Sequence, residues 1–272
     1  MFGIVARIEW EKTWRQRTLP VAILVLVPLL KVLAVLELNH LSAEAQLDDI
    51  RLNGFYLAAH SSRWVLAICA ILVFVDATQR IAAEAERGQL RMTLTRPVRR
   101  SALFVGRMLA LAAIVVGIVA FDLVVGIVVG FATRGFDDVA DVALQGDQFG
   151  AAALWGDLLR AYALAACGLI AVAACGLWLS ACFRRATTAL TTGLLLFCGA
   201  SLVALVFGDP LASMLPTTWV WRPLETMEKL TSGVSLFRVP GETVAAVAAC
   251  VGCVVVAVGS GVVRFARREH GE

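Results

Sequence analysis

One segment of this sequence carries residues whose types and spacing suit recognition of another protein. Residues 84–100 read EAERGQLRMTLTRPVRR, with two glutamates and five arginines, between two long apolar stretches. Gly88 permits a sharp break of the backbone. Pro97 disfavours a helical conformation in the residue before it and suits the first turn of a following helix. The pattern therefore predicts a jointed element of mixed charge that docks into a groove on a partner.

Helical spacing on both sides of Gly88 supports this interpretation. Arg80 and Glu84 lie four residues apart at the end of the preceding helix. Leu90 and Leu94 repeat at the same spacing after the break, which is typical of a short amphipathic helix. The alternative is a basic loop that contacts anionic lipid headgroups. Arginines alone fit that alternative, but two glutamates followed by a glycine and a leucine pair fit it less well.

Two ionisable residues, Lys31 and Asp122, lie inside apolar stretches. Each costs roughly 2.5–3.5 kcal/mol to insert near the middle of a bilayer, so such residues mark functional positions by default. They predict either a polar translocation path for a substrate or an ion contact that pairs two helices. The alternative is that each side chain reaches towards the membrane surface or faces a subunit interface.

The sequence lacks the constellations that an enzyme needs. His40, His60 and His270 all lie outside the predicted spans, and no H-E-x-x-H, G-x-S-x-G or G-x-x-x-x-G-K-[ST] motif occurs. All seven cysteines lie in apolar stretches, where a small apolar role is ordinary. The C-x-x-C formed by Cys250 and Cys253 has no second pair to complete a metal site. We expect no catalytic residue, metal site, disulfide framework or nucleotide-binding loop in this chain.

The composition determines which elements position these residues. The chain is 60% hydrophobic and only 17% charged, against about 25% charged in ordinary soluble domains, and its mean hydropathy is +0.81. Its apolar runs are continuous rather than alternating, which excludes a β-barrel and favours helices of about 20 residues that cross the bilayer.

We therefore predict an all-α integral membrane protein in which residues 1–272 form one transmembrane domain. The six predicted transmembrane helices cover about residues 19–38, 64–83, 102–132, 158–183, 186–207 and 243–263. Residues 84–101 connect the second span to the third. Within the connection at 208–242, a short amphipathic helix is predicted to begin at Pro223 and to lie at the outer interface.

The first 18 residues are predicted to form an amphipathic helix in the plane of the membrane. Trp10 and Trp14 share one face, and Arg15 lies on another. Tryptophan favours the depth of the lipid headgroups, which supports this placement. A cleavable signal peptide is the alternative, but the apolar run that follows is too long for one.

The distribution of positive charge predicts the orientation. Sixteen of the 24 Lys and Arg residues lie in the N-terminal segment, in the connections after the second and fourth spans, and in the C-terminal tail. Seven lie in the opposite connections. Because positive charge accumulates on the cytoplasmic side and the number of spans is even, both termini are predicted to be cytoplasmic.

On these residues the sequence resembles the ABC-2 type permeases of bacterial ABC exporters. In that family the second span runs into an acidic E-x-E-x-G-T-L stretch, and an L-x-x-P-x-x-R element opens the third span. Here the stretches are EAERGQL at 84–90, with Gln89 in place of the usual threonine, and LTRPVRR at 94–100. The predicted span number, orientation, N-terminal helix and outer helix extend the resemblance over the whole chain. The size and modest outer connections are similar to those of the NosY and gliding-motility permeases and of small drug-export permeases.

The resemblance implies a coupling element that contacts a separate ATP-hydrolysing subunit, with ATP and Mg bound by that partner and no cofactor in this chain. It also implies a second permease copy or a paralogue as partner, in the lipid bilayer of a bacterial cytoplasmic (inner) membrane. The residues carried over for ATPase coupling are Glu84, Glu86, Arg87, Gly88, Leu90, Leu94, Pro97 and Arg100, and those carried over for the connecting helix are Trp10, Trp14 and Arg15.

The function predicted on this basis is that of a permease subunit of an ABC exporter. One alternative keeps the fold but makes it a mechanical transducer that acts on a periplasmic protein through the polar connections at 39–63 and 133–157. Another alternative is an ion-coupled carrier or intramembrane enzyme that uses Lys31 and Asp122. Such a carrier usually has a chain of ionisable residues in its spans, whereas Lys31 and Asp122 are two isolated charges. No nucleic-acid partner is expected.

Overall fold

The computed structural model describes residues 18–45, 53–88, 100–140, 148–207, 212–231 and 242–267. The predicted N-terminal helix, with Trp10, Trp14 and Arg15, lies outside the described residues, as do Leu90, Leu94 and Pro97. The helices of the described part are α1 (Thr18–Ala45), α2 (Gly54–Gln79), α3 (Ala82–Glu86), α4 (Arg100–Thr133), α5 (Ala151–Cys182), α6 (Ala186–Phe207), α7 (Thr218–Thr231) and α8 (Glu242–Arg267). A two-residue antiparallel pair, β1 (Val139–Ala140) and β2 (Gln148–Phe149), precedes α5.

Five of these helices are long and apolar enough to cross a membrane, so the protein is a multi-pass helical membrane protein. The qualifying stretches are Pro20–His40, Gly54–Glu86, Ser101–Thr133, Ala151–Cys182 and Thr243–Phe265. The helix α6 has the same bounds as the fifth predicted span and is apolar over Ala186–Leu202. Its 22 residues extend about 33 Å, close to the hydrocarbon thickness of about 30 Å.

Two helices begin earlier than the predicted spans. The helix α2 begins at Gly54 rather than near residue 64, because the side chain of Asn53 accepts a hydrogen bond from the backbone N–H of Tyr56 at 3.0 Å and caps it. The helix α5 begins at Ala151 rather than near 158, with its first N–H donated to Asp138 at 2.6 Å. Residues predicted as polar connections therefore extend both helices.

Aromatic rings join these extended ends. The centroid of Phe136, which follows α4, lies 4.8 Å from that of Phe55 on α2 and 4.7 Å from that of Trp155 on α5. The backbone N–H of Gly54 donates to the carbonyl of Gly135 at 2.6 Å, and Gly135 has φ +74°, a conformation that favours glycine. These contacts fix the α2, α4 and α5 ends to one another.

The centre of the bundle is α5, which packs against α2, α4, α7 and α8. Close approach to α2 occurs at Gly176, where a Cβ atom would lie 2.9 Å from the Cβ of Ala77 and 3.1 Å from the carbonyl oxygen of Phe74. Small residues allow membrane helices to pack at such short distances. The spans therefore form one packed core around α5.

The helix α7 begins earlier than predicted. It begins at Thr218, with Pro223 in its interior, and it packs within the bundle against α2 and α5. Since Pro223 has no N–H, the carbonyl of Trp219 loses its helical partner. That peptide lies against α5, where a Cβ atom on Gly168 would be 2.9 Å from the carbonyl carbon of Trp219.

Candidate functional site

The predicted polar segment follows α2 after a turn that the sequence does not predict, and the predicted backbone break is at Gly88. The chain turns at Arg80 and Ile81, forms the short helix α3, and reaches Gly88 at φ +70°. A Cβ atom on Gly88 would meet nothing within 4 Å, so glycine is favoured there by backbone conformation and not by space. Arg87 and Gly88 are exposed, and Arg100 is the first residue of α4.

Glu84 connects α3 to α4. Its carboxylate is 8% exposed and forms an ion pair with the guanidinium of Arg107, which is 1% exposed. Arg107 also donates a hydrogen bond to the carbonyl of Arg80 at 3.2 Å. Arg80 in turn pairs with Asp76 one turn earlier on α2, at 2.6 Å. The ion pair with Arg107 directs the Glu84 side chain into the protein, towards α4, which contains the third predicted span.

Ser180 connects α3 to α5. Its hydroxyl oxygen accepts hydrogen bonds from the backbone N–H groups of Ile81 and Ala82, both at 2.9 Å. The first N–H groups of a helix have no partner within the helix, so Ser180 satisfies donors that would otherwise be buried without an acceptor. The buried hydroxyl thereby attaches the start of α3 to the C-terminal end of α5.

Glu86 connects α3 to α6. The backbone N–H of Ala186, the first residue of α6, donates to its carboxylate at 3.0 Å. A carboxylate at a helix N-terminus both accepts from an unpaired N–H and complements the helix dipole. We call the set formed by Arg80, Glu84, Glu86, Arg107 and Ser180 the α3 joint. Its hydrogen bonds and ion pairs attach one short helix to three others, an arrangement suited to transmitting displacement rather than to bond chemistry.

The second group of polar residues lies inside the membrane-spanning bundle. The Nζ atom of Lys31 on α1 lies 3.1 Å from Oδ1 of Asp122 on α4, with the two side chains 1% and 0% exposed. Lys31 also donates to the hydroxyl of Ser62 on α2, which is hydrogen-bonded to the hydroxyl of Tyr162 on α5. Gly126 makes room, since a Cβ atom there would lie 3.1 Å from Nζ. We call these residues the intramembrane charge network.

This network joins four helices and is closed to the surface of the chain. The sequence left several roles open for Lys31 and Asp122. In the structure the two side chains form an ion pair that joins α1 to α4. The carboxylate of Asp122 lies within 3.1 Å of the Lys31 ammonium, so the charge of Asp122 is balanced by that of Lys31.

A third group connects the C-terminal end of α7 to the N-terminal part of α2. The carboxylate of Glu228 lies 3.0 Å from Nδ1 of His60, 3.3 Å from Nη1 of Arg63 and 3.3 Å from the hydroxyl of Tyr56. Burial acts to raise the pKa of Glu228, but the hydrogen bond and charge of His60 and the charge of Arg63 outweigh it, so the pKa is lowered. Glu228 therefore stays ionised and holds α7 against α2. We call this group the Glu228 clamp.

Several of these residues were not predicted from the sequence. Arg107 lies inside α4, and an arginine several residues inside an apolar stretch is the same signal that marks Lys31 and Asp122. Ser180 and Glu228 have no comparable signal, because their partners lie far away in the sequence. The structure brings together Glu84 and Glu86 with α4 and α6, and Lys31 with Asp122.

Comparison with known proteins identifies one family. Residues 4–270 match the model of the family described as ABC-2 family transporter protein, which covers nearly the whole chain. No curated protein matches the chain.

Proposed function

Because the chain belongs to the ABC-2 transporter family, we propose that it is the permease subunit of an ABC exporter driven by a separate ATP-hydrolysing subunit. Permeases of this family are membrane components of transporters and are not themselves catalytic. They generally work with an ATP-binding subunit and often pair as dimers. In this proposal the partner binds ATP and Mg, and a second permease copy or a paralogue completes the complex.

The contacts of the α3 joint are the observation that best supports the proposal. The polar segment that would meet the ATPase follows directly from α3, and α3 is attached to α4, α5 and α6 by side chains. A push on the segment would therefore act on several spans together. Arg87 and Gly88 are exposed immediately beside these attachments, where a docked partner could reach them.

The proposed topology has six spans, with α6 as the fifth, in a bacterial cytoplasmic membrane. In this arrangement both termini and the α3 joint lie on the cytoplasmic side, and the Glu228 clamp lies on the opposite side. The excess of Lys and Arg in the N-terminal segment, the 84–101 connection and the C-terminal tail supports this orientation.

The test is assembly with the ATP-binding subunit that the proposal requires, sought first among the products of neighbouring genes. Co-expressed and purified in mild detergent, the two proteins should elute as one complex whose ATPase rate exceeds that of the ATP-binding subunit alone. Arg87→Glu should weaken assembly, because it reverses a charge beside the proposed contact. Arg134→Glu is the matched control, since Arg134 is also exposed but follows α4 at its other end. Absence of assembly with the wild-type chain would contradict the proposal.

A second candidate function is transduction of conformational work to a periplasmic partner. The early starts of α2 and α5, joined by the aromatic contacts of Phe55, Phe136 and Trp155, give a firm outer platform that suits such contact. Capture of one periplasmic protein by the complete complex, without ATP-dependent export of any compound, would favour this function over export.

A further inference from the structure

The helix α6 is held mainly along one side. It packs chiefly against α2, with α5 and α3 as further neighbours. The contact with α2 is close at Gly193, where a Cβ atom would lie 3.0 Å from the ring of Phe74. Side chains on other faces are exposed; these include Thr187, Thr188, Thr191, Leu195 and Leu202. A helix with neighbours on one side can change its tilt without dismantling a core.

The first turn of α6 receives its cap from a distant part of the chain. The preceding helix α5 ends at Phe183 in an extended conformation, with φ −109° and ψ 149°, so it does not continue into α6. The acceptor for the N–H of Ala186 is instead the carboxylate of Glu86 on α3. The position of the α6 start is therefore linked to the position of α3.

The two glutamates of α3 act on different helices. They are two residues apart, which on a helix places them on nearly opposite faces. Glu84 is directed inward to Arg107 on α4, whereas Glu86 is exposed and meets the start of α6. Only Arg87 separates Glu86 from the backbone break at Gly88. A movement of the segment after Gly88 therefore reaches Glu86 within two residues at one end, and it reaches α4 at Arg100 at the other end.

We propose that Glu86 is a positioning residue that transmits movement of the polar segment to α6, while Glu84 transmits it to α4 through Arg107. The inference rests on the proposed function, since the movement comes from the ATP-binding subunit. The two links are separable because they use different carboxylates and different helices. Loss of Glu86 should release α6 and leave α4 coupled.

The first experiment is hydrogen–deuterium exchange of the full chain alone in lipid nanodiscs. Glu86→Ala removes the acceptor for Ala186, so amide exchange in residues 186–189 should rise, on the order of fivefold for the loss of one cap. Glu86→Gln keeps an oxygen acceptor and should stay near the wild-type rate. Glu225→Ala is the matched control, because it removes a carboxylate from the pair with Lys229 on α7, at 2.8 Å. Unchanged exchange in Glu86→Ala would overturn the inference.

The second experiment measures transmission in the complex with the ATP-binding subunit. Trapping with ATP and vanadate should change amide exchange at the start of α4 and at the start of α6 in the wild type. In Glu86→Ala the change at α4 should persist and the change at α6 should be lost. A change at α6 that persists in Glu86→Ala, or a trapped wild-type complex that changes at neither helix, would overturn the inference alone. Failure of the wild-type subunits to associate would overturn the proposed function as well.

Discussion

The intramembrane charge network predicts how much the free energy of unfolding falls when either of its charges is removed. Lys31 and Asp122 are 1% and 0% exposed and lie 3.1 Å apart. Removing one partner of a buried ion pair leaves an uncompensated charge and costs about 3–5 kcal/mol. We therefore expect Lys31→Met and Asp122→Leu each to lower the free energy of unfolding by about that amount.

The double variant should behave differently from the sum of the single variants. Replacing both charges by apolar side chains of similar size is often neutral or stabilising. Ser62 and Tyr162 would still be hydrogen-bonded to each other, so no unpaired charge would remain from this network. Lys31→Met combined with Asp122→Leu should therefore be more stable than either single variant.

The assay is reversible unfolding in mixed micelles with increasing mole fraction of SDS, followed by tryptophan fluorescence. Leu33→Met is a matched control, because Leu33 is exposed on α1 and its replacement should cost little. The reasoning is refuted if each single charge variant costs less than about 1 kcal/mol, or if the two costs simply add in the double variant. Additivity would mean that the two charges do not interact.

Three further predictions concern Gly88, the contact between α5 and α8, and the Glu228 clamp. Gly88→Ala should destabilise by about 1–2 kcal/mol through the positive φ alone, measured by the same unfolding assay; no loss would show that φ is not positive there. The Sγ atoms of Cys175 and Cys253 lie 3.3 Å apart, so oxidation by copper phenanthroline should join α5 to α8 across a protease cut, and Cys175→Ser should abolish the link. The lowered pKa of Glu228 means that its carboxylate contributes fully to the clamp above pH 4.5, the ordinary pKa, and that this contribution is lost as the pH falls through the lower folded-state pKa. Titration of Glu228 should therefore leave amide exchange in α7 unchanged from pH 8 to 5. Glu228→Gln should raise amide exchange in α7 at every pH in that range. An increase in the wild type between pH 7 and 5 that is absent from Glu228→Gln would contradict this prediction.

The long helices could be predicted because hydropathy records burial in lipid. The bounds of α6 equal those of its predicted span, and each long helix covers most of a predicted apolar run. The earlier start of α2 was missed because Ser61 and Ser62 are buried against protein and not lipid. Hydropathy does not distinguish a polar side chain in water from one that is hydrogen-bonded inside a bundle.

The location of α7 could not be derived from its amphipathic pattern. An apolar face with tryptophan fits an outer interface and a protein interior equally well. The approach of its Trp219 peptide to Gly168 on α5 depends on tertiary packing, which leaves no local signal in the sequence. Its C-terminal end is held by Glu228, whose partners lie on α2.

Individual charges were recognisable in the sequence, but their partners were not. Lys31 and Asp122 each stand out in an apolar run, yet only the fold brings them together. Glu84 and Glu86 stand out as an acidic pair, and the fold sends them to α4 and α6. Their role in coupling to an ATPase stays a prediction.

The most direct test of the central claim is photocrosslinking from position 87. With p-benzoylphenylalanine in place of Arg87, which is exposed beside the α3 joint, illumination of the complete complex should link this chain to the ATP-binding subunit. The same group in place of Arg134 should give no such link. A link from position 134 and none from position 87 would contradict the proposal that the polar segment is the contact through which the ATPase acts.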